Sequence, residues 1–202
     1  QLTLTSTDAD AGRGAVLDLI RNSASPADND LCGTIRGLAK NDAGQDVILN
    51  EIIFRNEDVT DGTEDGQIII NCIRAGAQAG VMKMASTETV MNYDQVDLDF
   101  RVASDTLTHA LFVDGASGRV GIGASNNGDY HANNDDLLIA TTGSTGITIA
   151  SGTSDQGRIA FADGTSDSAD EIRGLLMYNH NGNAMSFNVN ASQVFQATAN
   201  NV

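Results

Sequence analysis

The stretch Asn92–Gly123, NYDQVDLDFRVASDTLTHALFVDGASGRVGIG, decides how this 202-residue chain is read. Its first arm alternates: Leu98, Phe100 and Val102 point one way, Asp97, Asp99, Arg101 and Ala103 the other, the period of a strand with one wet face. A second arm, Ala110 to Val113, ends at Asp114-Gly115, a dipeptide that tolerates the positive φ of a tight hairpin. The third arm, Gly118 to Gly123, places Val120 and Ile122 on one face and glycine on the other, which leaves room for another backbone. The candidate core is therefore Leu98, Phe100, Val102, Leu111, Val113, Val120 and Ile122, with Gly121 and Gly123 as close-approach glycines.

Further along, Gln156-Gly-Arg-Ile-Ala-Phe161 is followed by Ile172-Arg-Gly-Leu-Leu-Met-Tyr-Asn-His180 and Asn183-Ala-Met-Ser-Phe187. The run DLDFRVASDTLTHALFVDGASGRVGIG, ending in a VGIG tetrapeptide, resembles a module of bacteriophage tail-fibre and related virion fibre proteins of the marine or cyanobacterial phage type. The later segments resemble a second fibre module, G-x-I-x-F … Y-x-H … N-x-M-x-F. Together the two matches cover a little under half of the chain, and residues 1–91 match more loosely. The motifs identify a building style and name neither host nor receptor.

Composition agrees with a thin core. Aromatic residues are 4% of the chain, Trp is absent, and the hydrophobic fraction of 41% is mostly aliphatic residues and Ala. Such side chains fill the axis of an intertwined oligomer better than a wide globule. The 21 glycines against one proline point to turns made by positive-φ residues. A net charge of −16 argues against nucleic acid and anionic membrane surfaces as partners. Three copies would repel one another less in seawater-like salt, where the Debye length shrinks to about 3–4 Å. Nothing in the sequence resembles a secretory signal or a transmembrane span, and Gln1 in place of an initiator Met is expected of a mature or excised part of a longer protein.

Taken in order, Gln1–Thr7 reads as a strand with Leu2 and Leu4 on one face, and Arg13–Asn22 as a strand with Leu17 and Leu19 inward. Cys32 and Cys72 lie in apolar runs and are expected to be buried free thiols. In Asp46–Asn56 both faces carry apolar groups, so cover is expected on both sides. Glu57–Gly66 is an acidic loop, and Asp8 and Asp10 mark a turn without the glutamate and spacing of a calcium loop. Met82 and Met84 share a face and fill a core gap. Leu137–Ala140, Ile147–Ala150 and Ile159–Phe161 are short strands. Ile35-Arg-Gly-Leu38 recurs as Ile172-Arg-Gly-Leu175, a faint sign of two related modules.

Catalytic chemistry finds no constellation. The three histidines, His109, His131 and His180, lie near no nucleophile elbow, and no C-x₂-C or H-x₃-H pair is present. Gly121-Ile-Gly123 lacks the third glycine of a dinucleotide site. Asn190-Ala-Ser192 fits a glycosylation acceptor, a short pattern without force in a bacterially made phage protein.

These observations lead to four expected regions: an N-terminal β module over 1–91, a central intertwined shaft stretch over 92–123, a joint over 124–136 and a C-terminal β module over 137–202. The expected fold is all-β, an elongated, intertwined homotrimeric fibre built of short-strand β modules. The resemblance implies a structural and adhesive part of a virion tail fibre, extracellular, without enzymatic activity or cofactor. Its implied partners are itself, other virion tail or baseplate proteins, and a host-surface receptor, a glycan. Neither nucleic acid nor membrane insertion is expected. An extracellular bacterial adhesin or filament subunit is the alternative, and a trimeric polysaccharide depolymerase comes third, because few aromatics are available to line a sugar groove.

Overall fold

Alternating residues and positive-φ turns build three sheets in the computed structural model, which describes residues 1–198. The chain is all-β and divides into two units, Gln1–Gly143 and the part from Ser144 onward. In the first unit a five-stranded antiparallel meander contains β1 (Leu31–Lys40), β2 (Asp46–Asp58), β3 (Asp65–Arg74), β4 (Ala77–Met84) and β5 (Thr89–Met91). A second, four-stranded sheet follows: β6 (Phe100–Val102), β7 (Leu111–Val113), β8 (Val120–Ile122) and β9 (Leu137–Ile139). The second unit holds the antiparallel sheet β10 (Gln156–Phe161), β11 (Gly174–Asn179), β12 (Ala184–Val189) and β13 (Ser192–Thr198).

Turn chemistry sets the registers. Between β3 and β4 only Ala75 and Gly76 intervene, with φ of 48° and 82°, and Arg74 pairs with Ala77. Two consecutive positive φ values are the signature of the primed turn that suits strand twist. Asn190 and Ala191, at 52° and 57°, make the same turn between β12 and β13. In the hairpin joining β7 to β8 the positive φ falls on Gly118, at 75°, and not at the expected Asp114-Gly115 step. There the Asp114 carboxylate accepts the N–H groups of Ala116 and Ser117, and the Asp114 carbonyl accepts that of Gly118.

Several expectations change. Leu137–Ile139 does not open the C-terminal module: it pairs in parallel with Val120–Ile122, so the division falls after Gly143. A parallel partner needs a crossover of about a dozen residues. The expected joint over 124–136 supplies it, including a 3₁₀ turn at Asn127–Asp129. Neither Gln1–Thr7, Arg13–Asn22 nor Ile147–Ala150 is a strand, because none of them pairs with another segment among the described residues. Nor is β2 covered on both sides; Leu49 and Ile52 are exposed. Both thiols are free, but Cys32 is half-buried and Cys72 exposed, because the segment lying on the sheet face that carries Cys72 sits over Gly33, Ile35 and Phe54 and not over Cys72.

All three sheets are single layers. The buried hydrophobic residues among the described ones are Ile69, Ala79, Phe112, Leu175 and Ala184. The chain exposes 14453 Å². One compact body of this mass would expose about 9,000 Å², and two bodies of the sizes of these units about 11,000 Å².

Candidate functional site

Register places the expected core on one surface. In the second sheet Phe100 pairs with Val113, Val102 with Leu111, Leu111 with Ile122 and Val113 with Val120. Directly paired residues share a face, so Phe100, Val102, Leu111, Val113, Val120 and Ile122 line up together. Leu137 and Ile139 extend the row through their pairing with Val120 and Ile122. Leu98 lies just outside the strand, half-buried, its backbone pressed against Gly115. This surface is only partly covered: Val102, Ile122 and Leu137 keep 44%, 42% and 55% of their area exposed.

The opposite face of that sheet is the covered one. Phe112 is buried there, with the His109 ring edge-on at 5.2 Å. Asn127 is buried behind Gly121 and donates its amide to the carbonyls of Val120 (2.6 Å) and Asp135 (3.4 Å). Buried Asp135 is neutralised by Arg119 at 2.6 Å. A Cβ on Gly121 would strike the Ala124 carbonyl, so the close approach expected there is made by this chain's own crossover and not by a second chain. Gly123 has φ of 80°, the expected bend, and a Cβ there would meet the Ala140 carbonyl.

In the five-stranded sheet Ile35, Ile52, Ile70, Met82 and Met91 form one cross-strand row, with Phe54, Ile68 and Met84 beside it. Met82 and Met84 do share this face, half-buried. The reverse face is a polar ladder around Ile69: Arg36 bonds Glu51 at 3.1 Å, Asn71 donates to Glu51 at 3.2 Å, and Arg55 bonds Gln67. In the second unit the apolar row is Ile159, Leu176 and Phe187 with Phe195, flanked by Phe161 and Tyr178. The Phe187 and Phe195 rings lie 5.7 Å apart.

Each of these two apolar faces carries one cover. In the first, Leu19 lies on Gly33, 2.6 Å from where a Cβ would stand, and Leu17 and Ile20 border a cleft of about 390 Å³ against Ile35 and Phe54. In the second, Ile149 lies over Gly157, and Ile147 and Ile149 border a cleft of about 340 Å³ against Ile159 and Leu176. The two covered strands, β1 and β10, are each the first strand of a sheet and an edge strand. The tetrapeptide repeat does not coincide with this correspondence: Ile35–Leu38 lies inside β1, whereas Ile172–Leu175 runs from a 3₁₀ turn into the inner strand β11.

The histidines are dispersed. His109 stacks on Phe112, and His180 sits at the β11–β12 hairpin tip, edge-on to Tyr178 at 4.9 Å. His131 accepts the Asn133 N–H within the crossover. Among the described residues no group of three His, Cys, Asp or Glu side chains is placed to hold a metal ion, and no helix is long and apolar enough to cross a membrane. The surfaces that remain to be explained are the three apolar faces, and sequence reasoning missed Leu137 and Ile139 on one of them because a parallel pairing across a crossover leaves no local pattern. No protein-family model, no curated protein and no solved structure matches the chain.

Proposed function

We propose that this chain is a structural and adhesive component of a phage tail fibre: a homotrimer that extends from the virion and presents loops to a host-surface receptor, a glycan. The observation that carries this reading is the apolar face that each sheet leaves only partly covered. Exposed surface exceeds that of compact bodies by about 3,500–5,500 Å² per copy, the scale that obligate oligomers bury. A face of aliphatic residues on a chain this acidic is stable in water when copies cover one another. The number three and the virion setting come from the resemblance of the DLDFRVASD…VGIG run to fibre modules. Loops around Asp58–Asp65 and the His180–Asn183 tip, polar and outside the apolar rows, are the surfaces offered to a receptor.

The test is the mass of the full chain in solution. Native mass spectrometry and sedimentation at micromolar concentration should return three copies, with rod-like particles by electron microscopy. A monodisperse monomer overturns the reading.

A further inference from the structure

Three stretches have the alternation of a strand and lack a strand's partner. Gln1–Thr7 carries Leu2 and Leu4, Ala15–Ile20 carries Leu17 and Leu19, and Ile147–Ala150 carries Ile147 and Ile149. Among the described residues, no backbone-to-backbone hydrogen bond is made by any of the three. Backbone N–H and C=O groups are obligatory hydrogen-bonding groups, and an unpaired strand with apolar side chains is a template for another chain. Two of the three do more than hang free: they are the covers seated on Gly33 and Gly157. Their side chains thus occupy the apolar faces while their backbones stay unpaired. At the end of the second cover the Ser151 hydroxyl is buried without a partner.

We propose that Ala15–Ile20 and Ile147–Ala150 are assembly strands, whose backbones pair with a second copy of this chain. This rests on the oligomer of the proposed function and adds the place where the copies join. Charge selects a second copy as the occupant. At −16 per chain, like copies repel wherever acidic residues meet, yet residues 137–154 contain no charged side chain and Ala15–Ile20 contains Asp18 alone. An uncharged, alternating ladder is the part of this chain that its own copies can approach without that repulsion. Pairing along it is β-augmentation: main-chain bonds supply affinity and alternate side chains supply register. The surface left over by compact folding is large enough for such a joint.

Two measurements on the full chain test this. In hydrogen exchange of the assembled parent, amides of Ala15–Ile20 and Ile147–Ala150 should exchange at least about 100-fold more slowly than in unpaired peptide, as paired strands do. Second, Asp18→Pro and Thr148→Pro each remove an N–H without removing an apolar contact. Both should lose the trimer while amides of Ile69 and Leu175 stay protected, whereas Asp18→Ala and Thr148→Ala should assemble like the parent. A trimeric parent whose two segments exchange freely, or proline variants that assemble like their alanine counterparts, overturns the inference and leaves the fibre reading standing. A parent that is monomeric at every concentration overturns both. The exchange measurement decides the matter even where a proline variant does not fold.

Discussion

The five-stranded sheet and the C-terminal sheet solve the same problem with different resources. Each has an apolar face, an edge strand with a glycine, and a cover segment seated on it. They differ on the reverse face. In the five-stranded sheet that face is cross-linked by Arg36, Glu51 and Asn71 and by Arg55 with Gln67, although Arg55 Nε is itself buried without a partner. In the C-terminal sheet the corresponding interior positions hold Ser186 and Asn188, whose Oγ and Oδ1 atoms are buried without partners. Its apolar face is also the more aromatic, with Phe161, Phe187 and Phe195 exposed. Aromatic side chains bury about 150–250 Å² each when covered. In the proposed assembly the C-terminal sheet would therefore gain more from being covered than the five-stranded sheet.

That difference is tested most strongly by placing a charge on each apolar face. Phe187→Asp should abolish assembly, because several uncompensated carboxylates would be brought together out of water. Ile52→Asp, on a sheet with its own polar ladder, should weaken assembly and leave protected amides around Ile69. Gln196→Glu, on the reverse face opposite Ser186, is the silent control. Sedimentation together with hydrogen exchange reads all three. Assembly of Phe187→Asp at parental strength would reverse the ranking of the two sheets.

A smaller effect separates the two covers. An alanine at Gly33 would stand 2.6 Å from Leu19 Cβ, so the cover must shift, at a cost of about 1–3 kcal/mol for overpacking. At Gly157 the nearest atom is Ile149 Cγ2 at 3.4 Å, an ordinary contact. Neither glycine has a positive φ, so Gly157→Ala should be neutral or stabilise by about 0.5–1 kcal/mol through lost unfolded-chain freedom. Thermal melting that moves the same way for both variants would show that the two covers are seated alike.

How much of this was legible in the sequence follows from where the information sits. The arms of Asn92–Gly123 were readable because period-two alternation and turn residues are local, and the register then put Phe100, Val102, Leu111, Val113, Val120 and Ile122 on one face. Hairpins with positive-φ residues, such as Ala75-Gly76, were readable for the same reason. What failed was pairing. Leu137–Ile139 looks like the start of a new module, yet its partner is β8, across a crossover. Gly121 signals close approach, but only the fold says that Ala124 and Asn127 make it. Gln1–Thr7, Arg13–Asn22 and Ile147–Ala150 have the alternation of strands and no partner among the described residues, so the local pattern alone misplaced them. The Ile-Arg-Gly-Leu repeat misled because its arginines do different work, Arg36 on Glu51 and Arg173 on Asp163 and Asp170.

The smallest expected effect concerns a device the two units share. Asp114 in the β7–β8 hairpin and Asp167 in the loop after β10 each accept two backbone N–H groups two and three residues on. The Ser117 and then the Ala116 backbone N–H hold the Asp114 carboxyl below the usual aspartate range, and the Asp170 and Ala169 N–H groups do the same for Asp167. A folded-state value lowered below the unfolded one stabilises the fold above the unfolded pKa, about 3.9. That contribution is lost as pH falls through the lower folded value. Acidification from pH 5 should therefore leave the hairpin intact down to about pH 4 and loosen it below. Amide exchange at Asp114 and Gly118, whose N–H groups bond the Arg119 and Asp114 carbonyls within this turn, reads the step locally, apart from the general loss of carboxylate charge that acid also causes. Asp114→Asn keeps an oxygen acceptor for the same N–H groups and removes the titration, so its hairpin should show no acid step of its own. An Asp114 carboxyl that titrates at or above about 3.9, or an Asp114→Asn hairpin that loosens with acid as the parent does, would remove this turn from the list of what holds β7 against β8.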